Sequence, residues 1–215
     1  MRRDRKKSGK RGLIAILGLS AFIGISALLG KDIQIPGPSK GSTAKRIVDE
    51  TLEEYERFGK GKIKESKMCD LIEDTYFPAG NGDGFSCTGD AWSAAFVSYV
   101  MDEADVDFPG HYRHLTYFTT IRDNPRSYDC QTETMSKISD IEPGDVLCGG
   151  RSGSQIDYNI SHGEKRNSHC DVVIKNREDS LLVIGGNVGH SVESTVIPKS
   201  DLGNSKYFGF ISCDD

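Results

Sequence analysis

The stretch Asp90 to Val100, DAWSAAFVSYV, decides the fold. Trp92, Ala94, Ala95, Phe96, Val97, Tyr99 and Val100, with Met101 behind them, cover nearly every side of a helix running from Asp90 to Glu103. A helix that is apolar all round has no face to offer water and is buried. The sequence downstream supplies the layer that buries it. Short apolar runs at Asp145 to Cys148, Cys170 to Ile174, Leu181 to Ile184, Ser191 to Ile197 and Tyr207 to Ser212 are bounded by turn signals, the first of them Glu142-Pro143-Gly144-Asp145, and read as strands. A further short helix is expected from His114 to Arg122. Helices that precede a run of strands predict an α+β domain, here a buried helix packed on an antiparallel meander.

Upstream of the buried helix, Ile47, Val48, Leu52 and Tyr55 recur at helical spacing behind a Ser/Thr start signal, so an amphipathic helix is expected from Thr43 to about Phe58, ended by Gly59 and Gly61. Residues 31–42, KDIQIPGPSKGS, have no apolar period and read as a linker. Before the linker lie nineteen uncharged residues, Gly12 to Gly30, behind a basic tail at 1–11 that carries seven cations. As a helix, residues 12–30 extend about 28 Å, close to the hydrocarbon thickness of a bilayer. Positive charge flanking a spanning segment stays cytoplasmic, which places the expected domain, 43–215, outside. A cleaved secretory signal is the alternative, since it also joins a basic flank to an apolar stretch. Against cleavage, no Ala-x-Ala site closes the stretch and no cysteine follows it to accept a lipid. The expectation is therefore a transmembrane anchor with the domain in the periplasm or at the cell surface, the secreted form being the alternative.

The net charge of −5 conceals an asymmetry, because the first eleven residues contribute +6 and the remainder is −11. An acidic outer domain argues against nucleic acid as a partner. All six cysteines, Cys69, Cys87, Cys130, Cys148, Cys170 and Cys213, lie in that outer part, and an even number in an oxidising compartment predicts disulfides. Their spacing contains no CxxC pair, which disfavours structural zinc.

Four motifs and one arginine follow in order: Trp92-Ser93-Ala94-Ala95-Phe96 opens the buried helix, Pro143-Gly144-Asp145, Arg151 and His169-Cys170-Asp171 follow on the first two strands, and Gly185-Gly186-Asn187 ends the third. Over roughly Asp90 to Val192 the chain resembles the papain-like cell-wall hydrolases of the CHAP and NlpC type, and more closely the family called domain of unknown function 2272. The resemblance implies a triad of nucleophile at a helix start, histidine opening the second strand and polar residue on the third. The hydrolases carry cysteine after the tryptophan; this chain has Ser93. A thiol at a helix N-terminus ionises readily, whereas a hydroxyl must lose its proton during attack. Carried over, Ser93 is the nucleophile, His169 its general base and Asn187 the residue that orients the imidazole. Asp171, two residues beyond His169 on the same strand face, is a second candidate orienter and a candidate substrate contact. Trp92, Arg151 and His114 are further candidates for substrate contact, Arg151 through a substrate carboxylate and His114 from the loop GHYRHLTYF. Each has an ordinary alternative: Ser93 as a helix cap, His169 as a structural histidine, Asn187 as a turn residue, Arg151 as a solvated cation.

Such a mechanism needs no metal or cofactor, because backbone N–H groups at the helix start hold the oxyanion. The resulting expectation is an extracytoplasmic amidase or endopeptidase acting on peptidoglycan or cell-wall peptide. The rivals are a silent module that binds the cell wall or a protein, favoured by serine in place of cysteine, and a phage-derived structural protein. The pair Cys148 and Cys170 is the expected disulfide, since both sit on strands expected to be neighbours and both belong to motifs that bracket the site.

Overall fold

The computed structural model describes residues 42–203 and 206–213, all within the compact unit Ile35–Asp215. The expected anchor at 12–30, with its tail and linker, lies outside the described residues. Among those described, no helix is long and apolar enough to cross a membrane.

The elements are α1 (Ser42–Arg57), α2 (Cys69–Leu71), a π-helical turn (Ile72–Tyr76), α3 (Phe77–Ala79), α4 (Ser93–Glu103), α5 (His114–Asp123), β1 (Cys130–Glu133), β2 (Val146–Gly150), β3 (Ser168–Asn176), β4 (Ser180–Val188), β5 (Ser191–Pro198), α6 (Lys199–Leu202) and β6 (Tyr207–Cys213), with 3-10 turns at Glu65–Lys67 and Met135–Asp140. The fold is α+β, as the sequence indicates, on one antiparallel six-stranded sheet.

Strand alternation dresses both faces of that sheet. On β3, Val172 and Ile174 join the large core under α4, while Val173 points the other way into a second cluster with Leu147, Leu181, Val183, Ile197, Leu202 and Phe210. The meander is an incomplete description. Strands β2 to β5 run side by side in chain order, but after β5 the chain crosses the second face through α6, and β6 inserts between β2 and β1 to give β1-β6-β2-β3-β4-β5. Strand β1, CQTE, was not expected from its composition, and neither were the short helices at 69–79 and 199–202.

Helix α4 is buried from Ser93 to Met101, as its all-round apolar character requires. It begins at Ser93 rather than Asp90, because Asp90 closes a turn in which its N–H donates to the Ser86 carbonyl and its carboxylate accepts from the Ser86 N–H. A Cβ at Gly186 would stand 2.5 Å from Phe96 Cβ and 2.9 Å from Trp92 Cζ3, so the helix rests directly on this glycine. Gly186→Ala is expected to destabilise the domain by about 1–3 kcal/mol through overpacking. Urea unfolding measures it, and an unchanged midpoint would contradict the close contact between α4 and β4.

All six cysteines are paired: Cys69–Cys87, Cys130–Cys213 and the expected Cys148–Cys170, whose Cα atoms lie 4.2 Å apart on the facing strands β2 and β3. Three disulfides indicate an oxidising compartment.

Candidate functional site

The site forms where α4, α5 and β3 begin. Ser93 is the first residue of α4, one position after the N-cap residue Trp92. Its Oγ lies 3.2 Å from His169 Nδ1 and 2.5 Å from His114 Nε2. His169 stands near the start of β3, and strand periodicity puts Asp171 on the same face, where Oδ1 accepts from His169 Nε2 at 2.9 Å. Room for that carboxylate comes from Gly185 on β4: a Cβ there would fall 1.8 Å from Asp171 Oδ1. The two glycines of the Gly185-Gly186 motif thus serve opposite faces, one admitting the carboxylate and the other admitting α4.

Ser93, His169 and Asp171 converge. Asn187, expected as the orienter, does not join them: among the described residues no hydrogen bond links it to the imidazole, and the second ring nitrogen is bonded to Asp171. Asn187 has φ of 57° at the irregularity where the β4–β5 register shifts between Gly185 and Val188, so its backbone is that of a bulge. Trp92 is also displaced from its expected role. It is fully buried, stacks on Phe58 at 5.7 Å and donates from Nε1 to Glu65 at 2.8 Å, which leaves no face for a substrate.

Ser93, His114 and Arg151, with Tyr112 and Arg113, line a cleft of about 300 Å³. His169 and Asp171 line a second, larger cavity of about 740 Å³ with Val188, Ile197 and Tyr207. Arg151 is exposed and borders both spaces.

His114 is where sequence reading fell short. It is a buried partner of Ser93 rather than a simple cleft wall, and its Nδ1 lies 2.5 Å from the Tyr117 hydroxyl. Burial, reinforced by the neighbouring His169 and Arg151, holds its imidazole well below the usual histidine range. The unfolded chain takes up this proton below its ordinary value of 6.5 and the folded chain does not. Stability from this residue is therefore complete above that pH and is lost as pH falls below it, by at most about 1.4 kcal/mol per pH unit. Denaturant unfolding between neutral and mildly acidic pH should show this slope, and His114→Gln should remove it; an equal slope in both proteins would assign the proton elsewhere.

Fold and site together define an α+β protein in which a serine at the start of a buried helix meets a histidine–carboxylate pair on the sheet. The chain belongs to a family described as uncharacterized protein conserved in bacteria (DUF2272), whose sequence profile matches residues 62–206. No curated protein and no solved structure matches it significantly.

Proposed function

We propose that this domain is a papain-like acyl-transfer hydrolase that works outside the cytoplasm on amide bonds of peptidoglycan, with Ser93 as nucleophile. The observation that carries the reading is the line Ser93 Oγ, His169 Nδ1, His169 Nε2, Asp171 Oδ1, with spacings of 3.2 and 2.9 Å along it. In the first step His169 Nδ1 takes the hydroxyl proton as Oγ bonds to the substrate carbonyl carbon. N–H groups in the first turn of a helix have no intrahelical partner, and those of α4 would hold the developing oxyanion. The protonated imidazole then gives its proton to the leaving amine as the C–N bond breaks. A water, deprotonated by the same nitrogen, releases the acyl group and restores Ser93. Asp171 holds the imidazole in the required tautomer throughout, and Arg151 at the cleft is suited to a carboxylate of the peptide stem. The three disulfides support the oxidising setting, and residues 12–30 would supply the membrane tether.

The test is mass spectrometry of fragments released from purified peptidoglycan by the full chain and by Ser93→Ala. Fragments with new amine termini from the first and none from the second are expected. Sedimentation of the protein with peptidoglycan but no release from either would instead support the binding module, and equal release from both would exclude Ser93.

A further inference from the structure

We infer that His114 is a second catalytic imidazole, donating a hydrogen bond to Ser93 Oγ, and that Tyr117 is the positioning residue that fixes its tautomer. The inference rests on the reading of Ser93 as nucleophile and adds to it a group that the triad does not contain.

Proton counting fixes the direction of every bond. Ser93 has one hydroxyl proton and two imidazole neighbours, at 2.5 and 3.2 Å. The Asp171 carboxylate only accepts, so His169 Nε2 carries hydrogen, and in the neutral ring Nδ1 is then an acceptor. The Ser93 proton therefore points at His169. It cannot also serve His114, so His114 Nε2 must be the donor to Oγ. Burial keeps the His114 ring neutral, which leaves Nδ1 bare to accept from the Tyr117 hydroxyl at 2.5 Å. Tyr117 is fully buried, and that burial, with the nearby Asp171, raises its hydroxyl pKa well above the usual value, so it keeps the proton it donates. The hydrogen bonds run one way, from Tyr117 through His114, Ser93 and His169 to Asp171. With both rings neutral, reversing any of the first three would leave a neighbouring pair with no proton between them, and reversing the last would require the carboxylate to donate.

The local fold builds this pair. His114 opens α5 and Tyr117 follows one turn later on the same helix face, so the start of α5 presents both groups to the start of α4. As His169 removes the Ser93 proton, negative charge grows on Oγ in a buried site where an N–H is already aimed at it, and a preorganised donor to such charge accelerates the step. A thiol would need this less, since the helix N-terminus and one imidazole suffice to ionise it. Serine in place of cysteine and a second imidazole are therefore two halves of one arrangement.

The test is the pre-steady-state burst with p-nitrophenyl acetate, in which the Oγ–acyl bond forms, the bond to nitrophenolate breaks and the Ser93 proton passes to His169. His114→Leu, His114→Gln and Tyr117→Phe are measured alone and in the Ser93→Cys background, each checked for native melting. With serine present, His114→Leu should slow the burst about 10²-fold, the loss typical of one oxyanion-type donor. His114→Gln, which keeps an amide N–H near the Nε2 position, should recover part of it, and Tyr117→Phe should fall between. In the Ser93→Cys background the same changes should matter only a few-fold. Equal losses in both backgrounds would reduce His114 to a structural role and overturn the inference, as would no loss in either. Absence of any burst from the unmodified protein would instead sink the Ser93 nucleophile itself. Independently of activity, nitrogen-15 spectra of the native imidazoles should show His114 protonated at Nε2 and bare at Nδ1 at neutral pH. The opposite tautomer would contradict the inference whatever the kinetics show.

Discussion

Asp171→Asn should lower the acyl transfer proposed for Ser93 by about 10³–10⁴-fold while leaving the fold intact, a loss of the size that follows when a triad carboxylate becomes an amide. The side chains are nearly isosteric, so Gly185 still admits the group. The chemistry changes because an amide N–H can face His169 Nε2, which favours the tautomer bare at that nitrogen and places the ring proton on Nδ1, against Ser93. A histidine in that state cannot take the serine proton. Asn187→Ala, by contrast, should change the rate only a few-fold, since Asn187 is not bonded to the ring. Parallel acylation rates for the two variants decide between the orienters; a larger loss at Asn187 would return the third role to it. Gly185→Ala should behave like Asp171→Asn, because its Cβ would occupy the place of the carboxylate oxygen.

The second large effect concerns stability. Replacing Cys130 and Cys213 together by alanine should cost about 4–5 kcal/mol by the chain-entropy estimate for a closed loop of this length, enough to threaten folding at body temperature. Their sequence separation is 83, against 18 for Cys69–Cys87, for which the same estimate gives about 3 kcal/mol. The pair joins directly facing residues of β1 and β6, and among the described residues β1 has no other strand beside it. Urea midpoints of the two double variants rank the bridges, and a smaller loss at Cys130 and Cys213 would mean that β1 is held by its packing on α5 rather than by the covalent link.

Much of this was legible in the chain because the informative residues act locally. The all-round apolar pattern of α4 announces its burial, and the Pro143-Gly144-Asp145 turn and the β-branched runs announce β2 to β5. Motif order, with the family resemblance it carries, placed Ser93 and His169 near the starts of their elements. What stayed hidden depends on tertiary register. Asp171 and Asn187 were both admissible partners for His169, and only the β3–β4 alignment, which sets Asp171 against a glycine, separates them. His114 carries no motif, and its contact with Ser93 arises from how the start of α5 meets the start of α4. Strand β1 is four residues, CQTE, with no apolar alternation; it is a strand because β6 supplies a partner and a disulfide.

The insertion of β6 between β1 and β2 has a consequence for biosynthesis. Of the described strands it is the last to be made, yet it lies inside the sheet, so the paired strands β2 to β5 keep an open edge at β2 until it arrives. A chain emerging from the ribosome therefore cannot complete this sheet until β6 has been made. A stop codon just before Tyr207 would therefore remove an interior strand of the sheet and leave the β2 edge unpaired.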